Sequence, residues 1–330
     1  MTGRRERLRG GTPTSVTAHP PERHHPSAEA QRHLLEVFLI VVTTPTGRIG
    51  RQVLDSIING AERVRVIARD PSRIAPNVRD RVEVVPGSHN DPDVLTKALS
   101  GADSVFWVVP PNPRAASVEG HLLSFTRPLC EAITSGRVRR VVGVSTLGRG
   151  VAKNAGQVSA SLAMDELIEG TGVHYRALRM PGFMENMLHH VESIRNQGTF
   201  FLPISGDRKG PTCATRDVAA VAAELLLDGS WSGQEDVLIL GPEDLSPNDE
   251  ARIMSEVLAR PVRFQQVDGA AYKAALVGRG MSEAWAQGLV DMAAEVDRGI
   301  YSAEPRTPRS TTPTSFRQWC EEALKPAIIR

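Results

Sequence analysis

Hydrophobic and polar residues follow two alternating patterns along the chain from residue 34. Short runs rich in Val, Ile and Leu predict buried strands at residues 38–43, 63–69, 82–85, 104–109, 140–145 and 174–179. Between these runs, apolar residues recur at helical spacing over residues 49–59, 93–99, 120–135 and 159–170. Strands and helices that alternate in this way predict an α/β fold, with a doubly wound parallel-sheet Rossmann domain over residues 36–180.

The pattern changes after Pro181, and residues 181–330 are predicted to form a smaller substrate-side region. Residues 180–209 are expected to be rich in loops. A helix at 217–228 and a buried strand at 237–240 return to the earlier pattern, so residues 217–242 are expected to rejoin the Rossmann core. The later spacing predicts helices at 248–258, 270–278, 283–298 and 311–324 and a strand near 262–267. We expect this region to cover the carboxyl edge of the sheet.

Residues 1–35 are rich in Arg, Pro and Gly and contain few large aliphatic side chains. A segment of this composition cannot bury enough apolar surface to offset its ordering entropy, so we predict a disordered N-terminal leader. It lacks the apolar stretch of a secretory signal peptide. The alternatives are a mitochondrial transit peptide, which Glu6, Glu22 and Glu29 disfavour, and a translation start placed too far upstream.

The charge balance of the 330-residue chain excludes some classes of partner. Its 39 basic and 38 acidic residues give a net charge of +1, so no overall field favours nucleic acid or a membrane surface. No apolar run reaches the length of about 18 residues that indicates a membrane-spanning helix. Cys130, Cys213 and Cys320 are far apart and odd in number, which favours a reducing cytoplasm over a disulfide framework.

The first predicted strand runs directly into residues 44–50 (TPTGRIG) and then into a helix, which is the context of a dinucleotide-binding loop. Gly47 lets the backbone approach a pyrophosphate, Gly50 lets the helix pack closely on the strand, and the helix N-terminus offers N–H groups to phosphate. Thr44 departs from the usual pattern, since it stands at the first glycine position. A fold that keeps this shape without its ligand is the alternative. The residues predicted to bind the cofactor here are Thr44, Thr46, Gly47, Arg48, Ile49 and Gly50.

Arg69 stands at the end of the second strand, where the adenosine ribose of a dinucleotide lies. An acidic residue there selects a free 2′-hydroxyl, whereas arginine accommodates a 2′-phosphate, and Arg73 follows one turn later. We therefore predict NADP(H) as the preferred cofactor, with NAD(H) as the alternative. Asp70 and Pro71 are expected to open the next turn.

Several further motifs resemble the NmrA-like branch of the atypical short-chain dehydrogenases. They lie at residues 82–87 (VEVVPG), 98–103 (ALSGAD), 141–146 (VVGVST), 171–186 (TGVHYRALRMPGFMEN) and 240–246 (LGPEDLS). The resemblance spans about residues 37–325 and implies NAD(P)(H) binding with a crevice between the two regions. It does not imply one activity, because members include quinone, azo-dye and triphenylmethane reductases, biosynthetic reductases and redox-sensing regulators.

The wider dehydrogenase superfamily uses a Tyr-x-x-x-Lys pair as its proton donor, and this chain lacks it. Tyr175, Tyr272 and Tyr301 are each followed four residues later by a residue other than lysine. By register the pair would lie near Gln157 and Ser161. Its absence argues against ordinary alcohol dehydrogenation, and less against reduction of an acceptor that can take a proton from water.

The remaining catalytic candidates are Ser145 and Thr146, at the end of the fifth strand, and Lys153 in the following loop. A capping role for Ser145 and a solvated surface charge for Lys153 are the alternatives. His189 and His190 lack further ligands that would indicate a metal site. No metal is therefore predicted.

Apolar and amide side chains after the sixth strand predict the wall of a substrate pocket, because ligands of open α/β folds bind at the carboxyl edge of the sheet. The main pocket residues are predicted to be Phe183, Met184, Asn186 and Met187, and further aromatic walls are expected from Trp107, Phe200 and Phe201. Packing in the ordinary core is the alternative for about half of the apolar residues in this set.

Two hypotheses about function follow. The first is an NAD(P)H-dependent oxidoreductase that reduces a small planar apolar acceptor such as a quinone or azo compound, which the apolar residues after the sixth strand favour. The second is a non-catalytic NAD(P)-sensing protein that contacts a regulatory protein partner, which the missing Tyr–Lys pair favours. A nucleic-acid regulator is disfavoured by the near-zero net charge.

Overall fold

The computed structural model describes residues 38–136 and 138–329, so the predicted leader at residues 1–35 lies outside the described residues. The strands are, in chain order, β1 (Leu39–Val42), β2 (Arg63–Ala68), β3 (Glu83–Pro86), β4 (Ser104–Trp107), β5 (Arg140–Val144), β6 (His174–Arg179), β7 (Thr199–Leu202), β8 (Gly210–Pro211), β9 (Gln234–Leu238), β10 (Asp244–Leu245) and β11 (Arg263–Gln266). The α-helices are α1 (Arg48–Ile57), α2 (Pro76–Arg79), α3 (Pro92–Leu99), α4 (Val118–Thr134), α5 (Gln157–Glu169), α6 (Val191–Gln197), α7 (Thr215–Leu227), α8 (Pro247–Leu258), α9 (Gly269–Gly278), α10 (Glu283–Arg298), α11 (Phe316–Trp319) and α12 (Lys325–Ile329).

A seven-stranded parallel sheet in the order β3-β2-β1-β4-β5-β6-β9 forms the centre of the molecule. The strand order reverses between β1 and β4, because β1 pairs with β2 on one side and with β4 on the other. This reversal confirms the predicted doubly wound Rossmann fold. It also opens a crevice at the carboxyl ends of β1 and β4, where such folds bind their ligands.

Helices cover both faces of the sheet, and this is why β1 is apolar throughout its length. Ile40 and Val42 pack on the face covered by α1 and α7, whereas Leu39 and Val41 pack on the face covered by α3, α4 and α5. All four side chains are at most 5% exposed. A strand buried on both faces needs a continuous apolar run rather than an alternating one.

Residues 215–238 of the C-terminal half contribute to this sheet layer. Helix α7 packs against the core that α1 covers, and β9 adds the last strand beside β6. The predicted strand at 237–240 was wrong in its bounds, whereas its residues are buried as expected at Ile239 and Leu240 and half-buried at Val237 and Leu238. Strand β9 begins at Gln234 and forms the edge of the described sheet, where Gln234 and Glu235 are exposed.

The remaining C-terminal elements form a separate apolar cluster. Strand β7 pairs with β11 and β8 pairs with β10, and α6, α8 and α11 pack around them. Helix α10 packs against α4 and α5 through Trp285, Val118 and Ala160. These elements enclose the carboxyl side of β4, β5 and β6, which is where the acceptor pocket was predicted.

Two further sequence predictions about the C-terminal half were wrong. Residues 180–209 are not mainly loop, because Met187, Ile194 and Phe200 bury a 3₁₀ helix (Met184–His190), α6 and β7 into the apolar cluster. The predicted helix at 311–324 begins only at Phe316, since Thr311 forms a β-bridge with Leu240, in which the Thr312 N–H donates to the Leu240 carbonyl. It then continues through a π-helical turn (Cys320–Leu324) into α12.

Within residues 38–136 and 138–329, no helix combines the length and the hydrophobicity that crossing a membrane would require.

Candidate functional site

A cavity of about 230 Å³ lies at the carboxyl ends of β1 to β4. It brings together four of the residues predicted to bind the cofactor, namely Thr44, Thr46, Gly47 and Arg69. Arg48, Ile49 and Gly50 do not line this cavity. The Arg48 side chain is exposed and the Ile49 side chain is buried in the core, so their side chains do not contribute to the walls.

The backbone of the loop forms a tight turn at Thr44. This residue has a φ of +50°, in the left-handed region that a non-glycine residue rarely adopts, and its carbonyl accepts a hydrogen bond of 2.9 Å from the Gly47 N–H. Thr44 therefore takes the conformation for which the usual pattern provides its first glycine. The Thr43 hydroxyl fixes the start of the turn, because it donates to the Phe106 carbonyl at 2.8 Å and accepts from the Val108 N–H at 3.0 Å.

Gly50 allows α1 to approach this turn closely. A Cβ atom at Gly50 would lie 2.2 Å from the Thr44 carbonyl oxygen, which no side chain tolerates. Gly47 precedes the first turn of α1, and no side chain caps the N–H groups there. Uncapped N–H groups at a helix N-terminus form an anion site, so the loop fits a pyrophosphate.

Arg69 and Arg73 supply positive charge to the same cavity. Neither forms an ion pair with any residue in the described part of the chain. The Asp70 carboxylate accepts hydrogen bonds from the Ser72 hydroxyl and N–H, at 2.6 and 3.0 Å, and these bonds hold the pKa of Asp70 below its ordinary value. Asp70 therefore opens the turn, as the sequence predicted, and the two arginines remain available to a phosphate group.

A larger cavity of about 610 Å³ lies at the carboxyl ends of β4, β5 and β6. Its walls are mainly apolar and come from both regions of the chain, with Val109, Val144 and Met180 on the sheet side and Trp285, Leu289 and Met292 on α10. All four main pocket residues line it, namely Phe183, Met184, Asn186 and Met187.

Other predicted residues divide between the cavity and the core. Ser145 and Thr146 line the larger cavity, and so do Gln157 and Ser161, at the positions where the Tyr–Lys pair was expected by register. Lys153 does not, since its side chain points into solvent from an exposed loop. The expected aromatic walls were wrong for three residues that do not line the cavity. Trp107 and Phe200 are fully buried in core clusters, and Phe201 is half-buried outside the cavity.

The Ser145 hydroxyl is committed to a buried carboxylate. It donates to one oxygen of Asp165, and the Tyr175 hydroxyl donates to the other at 2.6 Å. Asp165 is 0% exposed, and burial raises its pKa to about 6 although both hydrogen bonds and Arg149 act in the opposite direction. This network holds the end of β5 against α5 and β6.

The Thr146 hydroxyl contacts a tyrosine from the C-terminal region. Tyr301 lies in the 3₁₀ turn after α10 (Ile300–Ser302) and lines the larger cavity. Burial raises the pKa of Tyr301 to about 12, and its hydrogen bond with Thr146 acts in the opposite direction. The sequence gave no local signal for this pair, because its members lie far apart along the chain.

A buried carboxyl group also lines the larger cavity. Glu250 lies on the apolar face of α8 beside Ala251 and Met254, is 9% exposed, and forms no ion pair within the described residues. Burial raises the pKa of Glu250 to about 8, with a further contribution from the charge of Asp249. In the sequence it looks like an ordinary acidic residue in the first turn of a helix.

His190 also faces the larger cavity, where burial lowers its pKa to about 4 and its ring lies edge-on to Phe200. Among the residues that the structure describes, no cluster of three or more His, Cys, Asp or Glu side chains could hold a metal ion.

Comparison with known proteins relates this geometry to relatives. An NAD(P)H azoreductase from Xenophilus azovorans is 26% identical over 263 residues, which cover 77% of this chain and 86% of the relative. A (4-alkanoyl-5-oxo-2,5-dihydrofuran-3-yl)methyl phosphate reductase from Streptomyces griseus is 29% identical over 292 residues, which cover 86% and 97%.

Solved structures share the fold at lower identity. The triphenylmethane reductase of Citrobacter sp. in complex with NADP(H) aligns with a TM-score of 0.73 at 19% identity, over 86% of this chain and 99% of that structure.

A family model described as NAD(P)H-binding matches residues 45–229, which is more than half of the chain and includes the loop at residues 44–50 from its second residue. The match confirms the predicted binding of a nicotinamide dinucleotide, and with the relatives it bears out the resemblance to atypical short-chain dehydrogenases. The chain belongs to the NAD(P)H-binding family.

Proposed function

We propose that the protein is an NADPH-dependent reductase of a small planar apolar acceptor, such as a quinone or an azo compound. The observation that carries this proposal is the apolar cavity of about 610 Å³ at the carboxyl ends of β4, β5 and β6. The segment after β4 borders both cavities, because Val109 and Pro111 line the larger one and Pro110 lines the smaller one. A dinucleotide that crosses this segment would place its nicotinamide in the larger cavity.

The residues of the smaller cavity fit the adenosine and pyrophosphate parts of the cofactor. Backbone N–H groups at Gly47 and in the first turn of α1 would hold the pyrophosphate, and Arg69 and Arg73 would hold a 2′-phosphate. Two arginines without ion pairs in the described residues favour NADP(H) over NAD(H). In this proposal residues 36–180 bind the cofactor, and residues 181–330 complete the acceptor side.

The bound cofactor supplies a hydride, so the task of the chain is to position an acceptor and exclude water. Phe183, Met184 and Met187 offer flat and adaptable apolar surfaces to an aromatic ring system. The Asn186 amide lies among them and can bond with a polar edge of the acceptor. A small-molecule acceptor is therefore the partner that this cavity fits.

The relatives support the same class of reaction. The relative from Xenophilus azovorans is named as an NAD(P)H azoreductase, and the relative from Streptomyces griseus as a reductase of a dihydrofuranyl methyl phosphate. The triphenylmethane reductase shares the fold. A sensor that only binds NAD(P) and contacts a regulatory protein needs no acceptor cavity. The larger cavity, with its volume of about 610 Å³ and mainly apolar walls, therefore favours the reductase over the sensor.

NADPH oxidation by the purified protein, measured against a panel of quinones, azo dyes and imines, tests the proposal. We expect acceptor-dependent oxidation with at least one planar apolar acceptor. Micromolar NADPH binding without oxidation by any member of the panel would contradict the proposal and favour the sensor.

A further inference from the structure

The larger cavity contains two hydroxyl groups near the end of β5, those of Thr146 and Tyr301, and no sequence motif indicated the pair. Thr146, two residues after β5, and Tyr301, in the turn after α10, both line the cavity, and a hydrogen bond between their hydroxyl groups acts on the phenol of Tyr301. Among the described residues, no carboxylate accepts a hydrogen bond from the Tyr301 hydroxyl, in contrast to Tyr175, whose hydroxyl donates to Asp165. The proton of the Tyr301 phenol is therefore available to a molecule in the cavity.

An ion-pair network fixes the position of this tyrosine. The Arg179 guanidinium donates to the Thr146 carbonyl at 3.1 Å and to the Glu304 carboxylate at 2.6 Å. Glu304 lies three residues after Tyr301 in the chain. It also pairs with Asp236 at 2.6 Å, and Arg179 itself is 4% exposed. Buried, charge-assisted hydrogen bonds of this kind hold the turn after α10 against the end of β5.

We infer that Tyr301 is the proton donor of this reductase, oriented by Thr146, and that it takes the place of the tyrosine missing from α5. This inference rests on the proposed function. With an azo acceptor, a hydride from the cofactor forms an N–H bond at one nitrogen, and the π electron pair moves to the other nitrogen. That nitrogen takes the Tyr301 proton and gives a hydrazine, while the phenolate regains a proton from water.

The chemistry of the acceptor suits a weakly acidic donor. An anion that develops on an azo nitrogen is a much stronger base than a phenolate, so a phenol whose pKa burial raises to about 12 still protonates it. Ser145 is less suited, because its hydroxyl proton already bonds to Asp165. Glu250 and Tyr272 are further protonated groups in the cavity, and their substitutions belong in the test.

A pair of acceptors separates proton donation from all other roles. A neutral azo dye needs a hydride and a proton, whereas a cationic triarylmethane dye needs only a hydride, which neutralises its central carbon. Tyr301→Phe removes the proton and keeps the ring. We expect it to lower kcat for the azo dye by at least about tenfold and to leave kcat for the cationic dye within about twofold.

Two variants and a binding measurement complete the design. Tyr272→Phe removes a phenolic hydroxyl from another part of the cavity wall. We expect it to leave the ratio of kcat for the azo dye to kcat for the cationic dye at the wild-type value. Thr146→Val should change this ratio in the same direction as Tyr301→Phe does, but less strongly, because Thr146 only orients the donor. NADPH affinity, measured by cofactor fluorescence, should be the same in Tyr301→Phe and wild type.

The outcomes are distinct. Equal losses on both dyes in Tyr301→Phe, or no loss on either, would overturn the role of Tyr301. A selective loss of azo reduction in Glu250→Gln, with none in Tyr301→Phe, would overturn it in favour of the carboxyl group. Failure of the wild-type protein to reduce either dye or any other planar acceptor would instead contradict the proposed function itself.

Discussion

The Thr44 carbonyl oxygen and the Cα atom of Gly50 approach each other so closely that a Cβ atom on Gly50 would lie 2.2 Å from that oxygen. Thr44 holds its carbonyl there because its backbone adopts a φ of +50°. The two residues together determine where α1 begins relative to β1. They therefore determine where its N–H groups would meet the pyrophosphate of a bound cofactor.

Gly50→Ala should weaken both folding and cofactor binding. The added methyl group forces the turn at Thr44 away from α1, and overpacking of this kind costs about 1–3 kcal/mol. We expect a lower Tm and weaker binding of both NADPH and NADH, measured by thermal unfolding and cofactor fluorescence.

Gly278→Ala is the matched control, since Gly278 is exposed near the end of α9 with open space around its Cα atom. It should leave the affinity for NADPH unchanged. An unchanged Tm and affinity in Gly50→Ala would show that the loop does not need this close contact.

Arg69→Glu should weaken NADPH selectively. A charge-assisted contact with the 2′-phosphate is worth about 1.5–3 kcal/mol, so we expect at least about a tenfold rise in the Kd for NADPH with little change for NADH. Arg79→Glu makes the same charge change on exposed α2 and should not alter the ratio of the two affinities. Equal losses for both cofactors in Arg69→Glu would mean that Arg69 does not contact the 2′-phosphate.

Phe183→Ala should affect the acceptor and spare the cofactor. Phe183 lines the larger cavity and not the smaller one, so its removal should raise KM or lower kcat for the acceptor while the NADPH Kd stays the same. Phe264→Ala removes a ring that packs on Phe200 away from the cavity, and it should lower Tm without changing KM. Unchanged steady-state kinetics in Phe183→Ala would place the acceptor elsewhere.

Glu250 should make the protein less stable as the pH rises. Its pKa goes from an ordinary 4.5 in the unfolded chain to about 8 in the folded protein. Between these values the folded protein keeps a proton that the unfolded chain has released, so the free energy of unfolding falls with rising pH. Below 4.5 both states hold the proton, and above 8 both have lost it.

Urea unfolding between pH 5 and 9, about the range that these pKa values define, measures this dependence. Glu250→Gln should flatten the fall in the free energy of unfolding, whereas Glu119→Gln, at an exposed position on α4, should leave the slope at the wild-type value. The same slope in Glu250→Gln and wild type would show that Glu250 does not hold a proton in the folded protein.

The sequence predicted the Rossmann layer well because its signals are local. Apolar runs such as residues 39–42 are continuous since both faces of the sheet are buried, and Gly50 stands directly after the strand that it serves. Arg69 could be assigned to the smaller cavity for the same reason, as it follows β2 immediately.

The acceptor side was harder to predict because its contacts join distant parts of the chain. Tyr301 meets Thr146 only after α10 has packed across α4 and α5, and no spacing in the sequence encodes that contact. Glu250 appeared to be a first-turn charge, and only the packing of α8 shows that it lies on the buried face. Lys153 was a catalytic candidate because it lies in the loop after the fifth strand, yet its side chain is exposed to solvent.

The central claim is that a hydride passes from a bound NADPH to an acceptor in the larger cavity. A single-turnover experiment tests it most directly, with protein in excess over NADPH and the nicotinamide absorbance followed after mixing with planar apolar acceptors without oxygen. We predict that the absorbance decays only when an acceptor is present, that one acceptor is reduced for each NADPH consumed, and that Phe183→Ala slows the decay. NADPH that stays bound and reduced with every acceptor of the panel would contradict the claim.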